Sequence, residues 1–207
     1  MSDTAELERG LQALNLPLPQ DTQARLHRYL ALIDKWNRVY NLTAVRERGQ
    51  MLARHLLDSL AVAPHLTGGS VVDVGSGAGL PGIPLAIARP QAAFTLVESS
   101  HKKSAFLMQA AIELELGNVE VVNARVEVWD PPRRFDVVIS RAFSDLAEFV
   151  ALAGRLASDG GVLAAMKGVY PYEELAQIPA PYRTAAVIPL TVPGLAAERH
   201  LVLLRRE

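Results

Sequence analysis

The sequence predicts an α/β fold, in which a mostly parallel sheet of seven strands is covered by helices on both faces. Three observations carry this prediction. After Gly69, short β-branched and apolar runs alternate with helical stretches. Before Gly68, apolar residues recur at helical spacing, which predicts an N-terminal helical cap. Only a few residues around Pro193 and Gly194 join the last two apolar runs, too few for a parallel crossover, so these runs should pair antiparallel.

The cap is expected to occupy residues 1–68 and the sheet domain residues 69–207, packed together as one compact unit. Asp21 is expected to be the N-cap of the second cap helix, because aspartate accepts hydrogen bonds from the free amides there. The cap helices are expected at residues 4–15, 21–41 and 49–66.

The strands of the sheet domain are expected in apolar runs that are mostly continuous rather than alternating, as a sheet buried on both faces requires. These runs read SVVDV, AFTLVE, VEVVNA, FDVVIS, GGVLAAMK, TAAVIPLTV and RHLVLLRR. Helices are expected between them near residues 82–89, 101–116 and 145–157.

The composition excludes several classes of chemistry. The chain contains no cysteine, which rules out disulfides, cysteine-ligated zinc and thiolate nucleophiles. No metal site is expected. The N-terminus has no basic segment followed by an apolar one, and no apolar run reaches the roughly 18 residues of a membrane span. We therefore expect a cytoplasmic protein, monomeric and without a membrane partner.

Positive charge is concentrated in the cap, although the formal net charge is only −1. Between residues 25 and 55, seven basic residues stand against the two acidic residues Asp34 and Glu47. The basic residues are Arg25, Arg28, Lys35, Arg38, Arg46, Arg48 and Arg54. Such a run is either a solvated helix face or a surface for nucleic acid, and the sequence leaves both interpretations open.

The segment from Asp73 to Gly82 reads DVGSGAGLPG and follows directly on a predicted buried strand. Without Cβ atoms, Gly75, Gly77 and Gly79 let the backbone turn tightly and approach a ligand closely. The free amides at the start of the next helix favour the negative end of that ligand. The segment therefore predicts a small cofactor at the carboxyl edge of the first strand, with a glycine-rich turn that binds nothing as the alternative.

The spacing of these glycines separates two classes of cofactor. Counted from Gly75, the third glycine of the dinucleotide fingerprint falls on Leu80. A complete GxGxxG does occur at Gly77, Gly79 and Gly82, but it begins two residues later than the fingerprint requires and contains Pro81. The GxGxG spacing that starts at Gly75 is instead typical of enzymes that use S-adenosylmethionine, so we expect this cofactor rather than a nicotinamide dinucleotide.

Two strand ends add expected cofactor contacts. Glu98 ends the second strand, 23 residues after Gly75, where a carboxylate can accept hydrogen bonds from two ribose hydroxyls. After the third strand, Val126 can flank an adenine ring, and Glu127 can meet the polar edge of that ring. Asp73 lies inside an apolar strand and needs a partner, which is either the ammonium of the cofactor or the amides of the loop.

Several segments along nearly the whole chain match one known family. They are WN at 36–37, YNLT at 40–43, RHLLDS at 54–59, DVGSGAGLPGIP at 73–84, SRAF at 140–143, KG at 167–168 and ERHL at 198–201. On these segments the chain resembles the bacterial ribosomal RNA small subunit methyltransferase G family, also called glucose-inhibited division protein B.

The resemblance implies a Rossmann-like class I methyltransferase, which would methylate guanine N7 in small-subunit (16S) ribosomal RNA, either free or within the small ribosomal subunit. Arg141 is expected to position the reactants, and the candidate substrate contacts are Arg54, His55 and Lys167. The resemblance implies cofactor contacts from Gly75, Leu80, Val126, Glu127 and Arg141. The glycine loop and the second strand add Gly77, Gly79 and Glu98 to this set.

The available side chains agree with N7 as the acceptor atom. Methylation at C5 of a pyrimidine generally needs a cysteine, and the chain has none. Methylation of an exocyclic amine commonly uses an Asn/Asp-Pro-Pro-aromatic loop after the fourth strand, whereas here that strand runs into SRAF. Guanine N7 carries an exposed lone pair, so positioning alone can support the transfer without a catalytic base.

Each candidate also has a purely structural interpretation. His55 can brace its helix, Lys167 can be a solvated charge at a strand end, and Phe143 can be a core residue rather than a stacking partner for a flipped base. Two other functions stay open for the whole chain. One is a small-molecule methyltransferase whose cap covers the pocket, and the other is a protein that binds the cofactor without turnover.

Overall fold

The computed structural model describes residues 3–207, apart from the side chain of Arg48. Apolar residues at helical spacing make the N-terminal part a set of helices that turn one face inward. Its elements are α1 (Asp3–Ala13), α2 (Gln20–Tyr40), α3 (Arg48–Met51), a π-helical segment (Leu52–Leu57), α4 (Asp58–Leu60) and a 3₁₀ turn (Ala63–His65).

Two predictions about the cap are corrected. Asp21 is not the N-cap of α2, because the helix begins at Gln20, directly after the extended Pro19. Asp21 lies in the first turn, where its carboxylate faces the positive end of the helix dipole. The single helix expected at 49–66 is divided by the π-helical segment. Its wider turn shifts the side chains that follow relative to those of an α-helix, and such segments occur frequently at functional sites.

The sheet domain alternates strands with helices up to the fifth strand, except that β3 is followed by β4 without a helix between them. Its elements are β1 (Ser70–Val74), α5 (Gly82–Ala88), β2 (Ala93–Val97), α6 (His101–Glu113), β3 (Val119–Val122), β4 (Phe135–Ser140), α7 (Leu146–Ala153), a 3₁₀ turn (Gly154–Leu156), β5 (Ala157–Lys167), α8 (Tyr172–Leu175), β6 (Tyr182–Pro189) and β7 (His200–Arg206).

The seven strands form one sheet in the order β3-β2-β1-β4-β5-β7-β6. Strands β1 to β5 pair in parallel, and β7 pairs antiparallel with both β5 and β6. The predicted antiparallel pair at the end of the chain is therefore confirmed. The strand order reverses between β1 and β4, and ligands of open α/β sheets bind beyond the carboxyl ends of the strands at such a switch point.

The cap and the sheet domain share a hydrophobic cluster, in which Leu26 and Ile33 of α2 are buried together with Ile83 of α5 and Phe106 of α6. The ring of Trp36 also packs edge-on against Phe106, with 5.6 Å between centroids. The division at residue 68 stays a prediction. Within residues 3–207, no helix combines the length and apolarity that a membrane crossing needs.

Candidate functional site

The glycine loop between β1 and α5 adopts backbone angles that favour glycine at three alternate positions. The φ angles are +71° at Gly75, +60° at Gly77 and +87° at Gly79. A Cβ on Gly77 would point into open space, with the Gly75 carbonyl oxygen at 3.9 Å as the nearest atom, whereas a Cβ on Gly79 would lie 2.7 Å from Ile83. Gly77 therefore faces the space for a ligand, while Gly79 permits close packing of the loop on α5.

Buried polar side chains form hydrogen bonds with the backbone of the glycine loop. The carboxylate of Glu98 accepts hydrogen bonds from the Gly77 amide at 2.9 Å and from the Ser100 amide at 2.8 Å. The hydroxyl of Tyr29, on cap helix α2, donates to the Ala78 carbonyl oxygen at 2.5 Å. Burial raises the pKa of Tyr29 well above its ordinary value, so the hydroxyl keeps its proton at neutral pH.

Asp73 lies beneath the loop and is completely buried. Its Oδ2 accepts a hydrogen bond from the Gly82 amide at 2.9 Å, which is the loop-anchoring contact considered above. Oδ1 has no hydrogen-bond partner within residues 3–207. Burial raises the pKa of Asp73 to about 7, although the Gly82 amide, the charge of Arg141 and the nearby Ser76 hydroxyl act in the opposite direction.

We expect Asp73→Asn to change how the stability of the ligand-free protein depends on pH. Because the folded pKa of Asp73 exceeds its unfolded value, the folded state favours the protonated carboxyl, and this contribution is lost as pH rises from about 4 towards 7. The free energy of unfolding of the wild type relative to Asp73→Asn should fall by about 2 kcal/mol between pH 5 and pH 8. Urea unfolding of both proteins at several pH values measures this difference.

Comparison with the variant is essential because His55 titrates with the opposite sign. Burial lowers the pKa of His55 to about 4, so its contribution to stability increases as pH rises from about 4 to 6.5. The His55 contribution is the same in both proteins and cancels in the difference. A difference that stays constant from pH 5 to pH 8 would contradict the raised pKa of Asp73.

Two cavities adjoin the glycine loop. The strand-end cavity, of about 230 Å³, is lined by Val74, Gly75, Val97, Ser99, Ala124, Arg125, Val126, Glu127, Phe143, Glu148 and Leu152. The loop cavity, of about 150 Å³, is lined by Leu42, Thr43, Gly75, Ser76, Gly77, Ala78, Leu80, Arg141 and Ala142. Gly75 lines both cavities, so they flank the same turn of the backbone.

These cavities fit the two ends of S-adenosylmethionine. The strand-end cavity offers apolar walls at Val126 and Phe143 together with the carboxylate of Glu127, as an adenosine group requires. The loop cavity offers the open side of Gly77 and is lined by Ser76, whose hydroxyl donates to the Asp73 carbonyl oxygen at 2.9 Å. The buried Oδ1 of Asp73 lacks a hydrogen-bond partner among the described residues. The residues that are present therefore suit a molecule with an apolar ring system at one end and a positive charge at the other.

Two of the predicted cofactor residues lie outside the lining of both cavities. Gly79 packs against α5, and Glu98 is bound to loop amides. Each carboxylate oxygen of Glu98 still has a second lone pair, so the predicted ribose contact stays a prediction. Phe143 packs against Phe149 at 5.1 Å between centroids, as the core interpretation expects, and it also lines the strand-end cavity. Stacking of Phe143 on a flipped base stays a prediction.

A third cavity, the basic cavity, is larger than these two and is also lined by Arg141. Its volume is about 400 Å³, and it is lined by Thr43, Val45, Arg54, His55, Asp58, Arg141, Met166, Lys167, Gly168 and Arg199. The structure thus brings together Arg54, His55, Lys167 and Arg141, the predicted substrate-side residues. Thr43 and Arg141 line the loop cavity as well, so these two residues lie where the two cavities meet.

A buried carboxylate organises two arginines of the basic cavity. Asp58 is 1% exposed and accepts hydrogen bonds from Arg199 Nε at 2.8 Å and from Arg141 Nη1 at 3.1 Å. Arg141 Nη1 also donates to the Arg54 carbonyl oxygen at 3.2 Å, within the π-helical segment. The π-helical segment and Asp58, the first residue of α4, therefore fix the position of the Arg141 guanidinium.

His55 and Lys167 are both held by polar contacts. His55 Nε2 lies 3.1 Å from the Thr43 hydroxyl, and its lowered pKa keeps the imidazole neutral at pH 7. Lys167 Nζ donates to Glu174 at 2.8 Å and to the Ser144 carbonyl oxygen at 2.7 Å. Lys167 is therefore not a freely solvated charge, but its two hydrogen bonds also serve the fold, and its contact with substrate stays a prediction.

Sequence reasoning assigned no role to Thr43, Asp58 or Arg199, although all three lie in the segments that match the family. A signal was present for Asp58, because an aspartate among leucines in HLLDSL occupies a position that would be apolar in a simple helix. Among the described residues, no group of three or more histidine and carboxylate side chains is arranged to hold a metal ion.

The sheet order and the paired cavities at its switch point define a class I S-adenosylmethionine-dependent methyltransferase. Solved structures support the fold: a glycopeptide N-methyltransferase complexed with S-adenosylmethionine superposes with a TM-score of 0.62 over 74% of this chain and 95% of that chain, at 11% identity. Coclaurine N-methyltransferase superposes with a TM-score of 0.58 over 90% of this chain and 65% of that chain, at 15% identity. The predicted fold class is confirmed.

Sequence comparison identifies the family within this class. The profile described as "rRNA small subunit methyltransferase G" matches residues 22–202. Proteins named ribosomal RNA small subunit methyltransferase G are 57% identical in Nitrosospira multiformis, over 100% of this chain and 99% of the relative, and 57% identical in Laribacter hongkongensis, over 96% of both. The chain belongs to the rRNA small subunit methyltransferase G family, and its cofactor is S-adenosylmethionine.

Proposed function

We propose that the protein transfers a methyl group from S-adenosylmethionine to N7 of a guanine in 16S ribosomal RNA. The single observation that carries this proposal is that Arg141 and Thr43 line both the loop cavity and the basic cavity, and so form a junction between them. A donor seated against the glycine loop and an acceptor seated in the basic cavity would meet at this junction. The name of the family supplies the class of acceptor, and the charges of the basic cavity agree with it.

On the donor side, the chain binds and orients rather than reacts. S-adenosylmethionine supplies a methyl group that is activated by a sulfonium. We propose that Gly75, Gly77 and Leu80 contact the methionine end of the cofactor, while Val126 and Glu127 contact its adenine. Asp73, whose Oδ1 has no hydrogen-bond partner among the described residues and whose pKa is about 7, is suited to ionise when a positive charge arrives, which would strengthen binding of a cationic donor.

On the acceptor side, positive charge suits an RNA segment. Arg54, Arg141, Lys167 and Arg199 line one cavity of about 400 Å³, opposed inside that lining by the single carboxylate of Asp58. Guanidinium groups bind phosphate oxygens and the O6 atom of guanine. We propose that Arg141 contacts O6 or a phosphate oxygen and leaves N7 free to face the donor.

N7 suits the protonation states in the cavity better than N1 or N2 of guanine does. Methylation at N1 or N2 requires removal of a proton, and general bases work best when their pKa lies near the working pH. The pKa of His55 is about 4, so its imidazole is a weak base, and both oxygens of Asp58 are occupied by arginines. The neutral imidazole also adds no positive charge beside a base that becomes cationic when N7 is alkylated.

Methylation of 16S ribosomal RNA from a strain that lacks the protein tests this function. Purified protein and labelled S-adenosylmethionine should label assembled small subunits or naked 16S RNA, and mass mapping should place the label on guanine. Borohydride followed by aniline should then cleave the strand at the labelled position, because only an N7-methylated guanine is opened by this treatment. Label on a guanine that resists cleavage would refute N7, whereas label confined to metabolites would refute the RNA substrate.

The alternatives noted from the sequence are weaker after the comparisons. Membership in the family argues against a protein that binds the cofactor without turnover, and the basic lining of the acceptor cavity argues against a small uncharged acceptor. The expected monomeric state and cytoplasmic location stay predictions.

A further inference from the structure

A group of aromatic side chains lies beside the basic cavity and has no role in the reaction described above. Lys167 and Gly168, at the end of β5, line that cavity, and the chain continues directly into Val169, Tyr170 and Tyr172. The side chain of Tyr172 is 76% exposed, and Val169 is 72% exposed. Exposed aromatic and apolar groups that adjoin a binding site commonly mark a contact with a partner.

The rings are ordered with respect to one another and to the cavity wall. The centroid of Tyr170 lies 4.3 Å from that of Tyr172 and 5.4 Å from that of His200. His200 Nδ1 in turn lies 2.7 Å from the Gly168 carbonyl oxygen. The three rings therefore form a row that begins at the wall of the basic cavity and ends at the exposed ring of Tyr172.

The charges around this row do not suit a phosphate. Glu173 and Glu174 lie in the first turn of α8, next to Tyr172, and Lys167 already donates to Glu174 at 2.8 Å. A partner that binds here has to use the faces of the rings rather than their surrounding charge. Unpaired nucleobases bind proteins in this way, since they stack on aromatic side chains whatever their sequence.

We propose that Tyr170 and Tyr172 form a stacking platform for an unpaired nucleobase that lies next to the methylated guanine in the RNA. The proposal rests on the RNA substrate proposed above and extends it to a neighbouring nucleotide. Tyr172 presents the exposed ring on which the base stacks, and Tyr170 supports that ring from the side of the cavity. The enzyme would thus bind a single-stranded segment of its RNA and not the target guanine alone.

Steady-state kinetics of Tyr172→Ala, with the RNA substrate varied and S-adenosylmethionine saturating, tests the platform. The KM for RNA should rise at least about fivefold, the lower limit for loss of one stacked base. The KM for S-adenosylmethionine and the melting temperature should not change, because Tyr172 is mostly exposed and lies outside the lining of the cofactor cavities. Tyr172→Phe, which keeps the ring, should retain the wild-type KM for RNA.

Ile112→Ala is the matched control, because the side chain of Ile112 is similarly exposed, at 71%, but belongs to α6. This variant should keep the wild-type kinetics. Wild-type protein that labels no ribosomal RNA would reject the proposed function itself. An active wild type together with an unchanged KM for RNA in Tyr172→Ala would overturn the platform alone. Equal impairment of Tyr172→Phe and Tyr172→Ala would also overturn it, because the hydroxyl and not the ring would then be responsible.

Discussion

Gly77→Val should raise the Kd for S-adenosylmethionine by about a hundredfold, in line with the cost of overfilling a packed site. The added Cβ would enter the open side of the loop cavity, whose volume is only about 150 Å³. The Gly77 backbone cannot readily move away, because its amide is bound to the buried carboxylate of Glu98 at 2.9 Å. Isothermal titration calorimetry with the purified variant measures the effect.

Valine at position 77 is also strained by its φ angle of +60°, so a lower stability has to be separated from blocked binding. Gly160→Val is the matched control. Gly160 has a φ of +79°, and a Cβ there would meet nothing within 4 Å. Both variants should lose about 1–2 kcal/mol of stability, but Gly160→Val should bind the donor normally. Wild-type affinity in Gly77→Val would show that the donor does not lie against this loop.

Arg141→Ala should lower kcat for RNA methylation by about a hundredfold, the range expected when two reactants lose their alignment. Arg141 stands at the junction of the loop cavity and the basic cavity, and both of its hydrogen bonds to the described residues are made by Nη1. Stability should fall by only about 1–2 kcal/mol, because the buried Asp58 keeps its bond to Arg199. Single-turnover methyl transfer and thermal unfolding measure the two effects.

Arg134→Ala serves as the control for loss of an arginine. Arg134 forms an ion pair with Asp130 at 3.3 Å, and it lines none of the three cavities that meet the proposed reactants. Its methyl-transfer rate should stay at the wild-type value. A loss of rate in Arg141→Ala that merely parallels a large loss of folded protein would show that Arg141 is structural and does not position the reactants.

The sequence predicted the parts of the fold that depend on local patterns. Continuous apolar runs located the strands, and the short link around Pro193 identified the antiparallel pair, because chain length limits which connections are possible. The glycine spacing indicated the cofactor for a related reason, since a backbone that must turn tightly leaves few choices of residue. These features lie within short stretches of chain and can be recognised there.

The acceptor side of the site was harder to predict, because its contacts join distant parts of the chain. Asp58 and Arg199 are 141 positions apart, and only the folded chain shows that one buried carboxylate holds two arginines. The π-helical segment was missed because its residues have the same apolar pattern as an ordinary helix. The neutral state of His55 was likewise hidden, since it results from burial and not from the identity of its neighbours in sequence.

The hydrogen bond from Tyr29 to the Ala78 carbonyl oxygen means that the proposed methyl-donor pocket depends on the cap as well as on the sheet domain. A protein trimmed to begin at residue 69 would keep every glycine of the loop but would lose this hydroxyl, together with the wall that Leu42 and Thr43 provide. A hybrid protein in which these N-terminal helices are replaced should therefore bind S-adenosylmethionine with a different affinity, even if its Rossmann-like domain is unchanged.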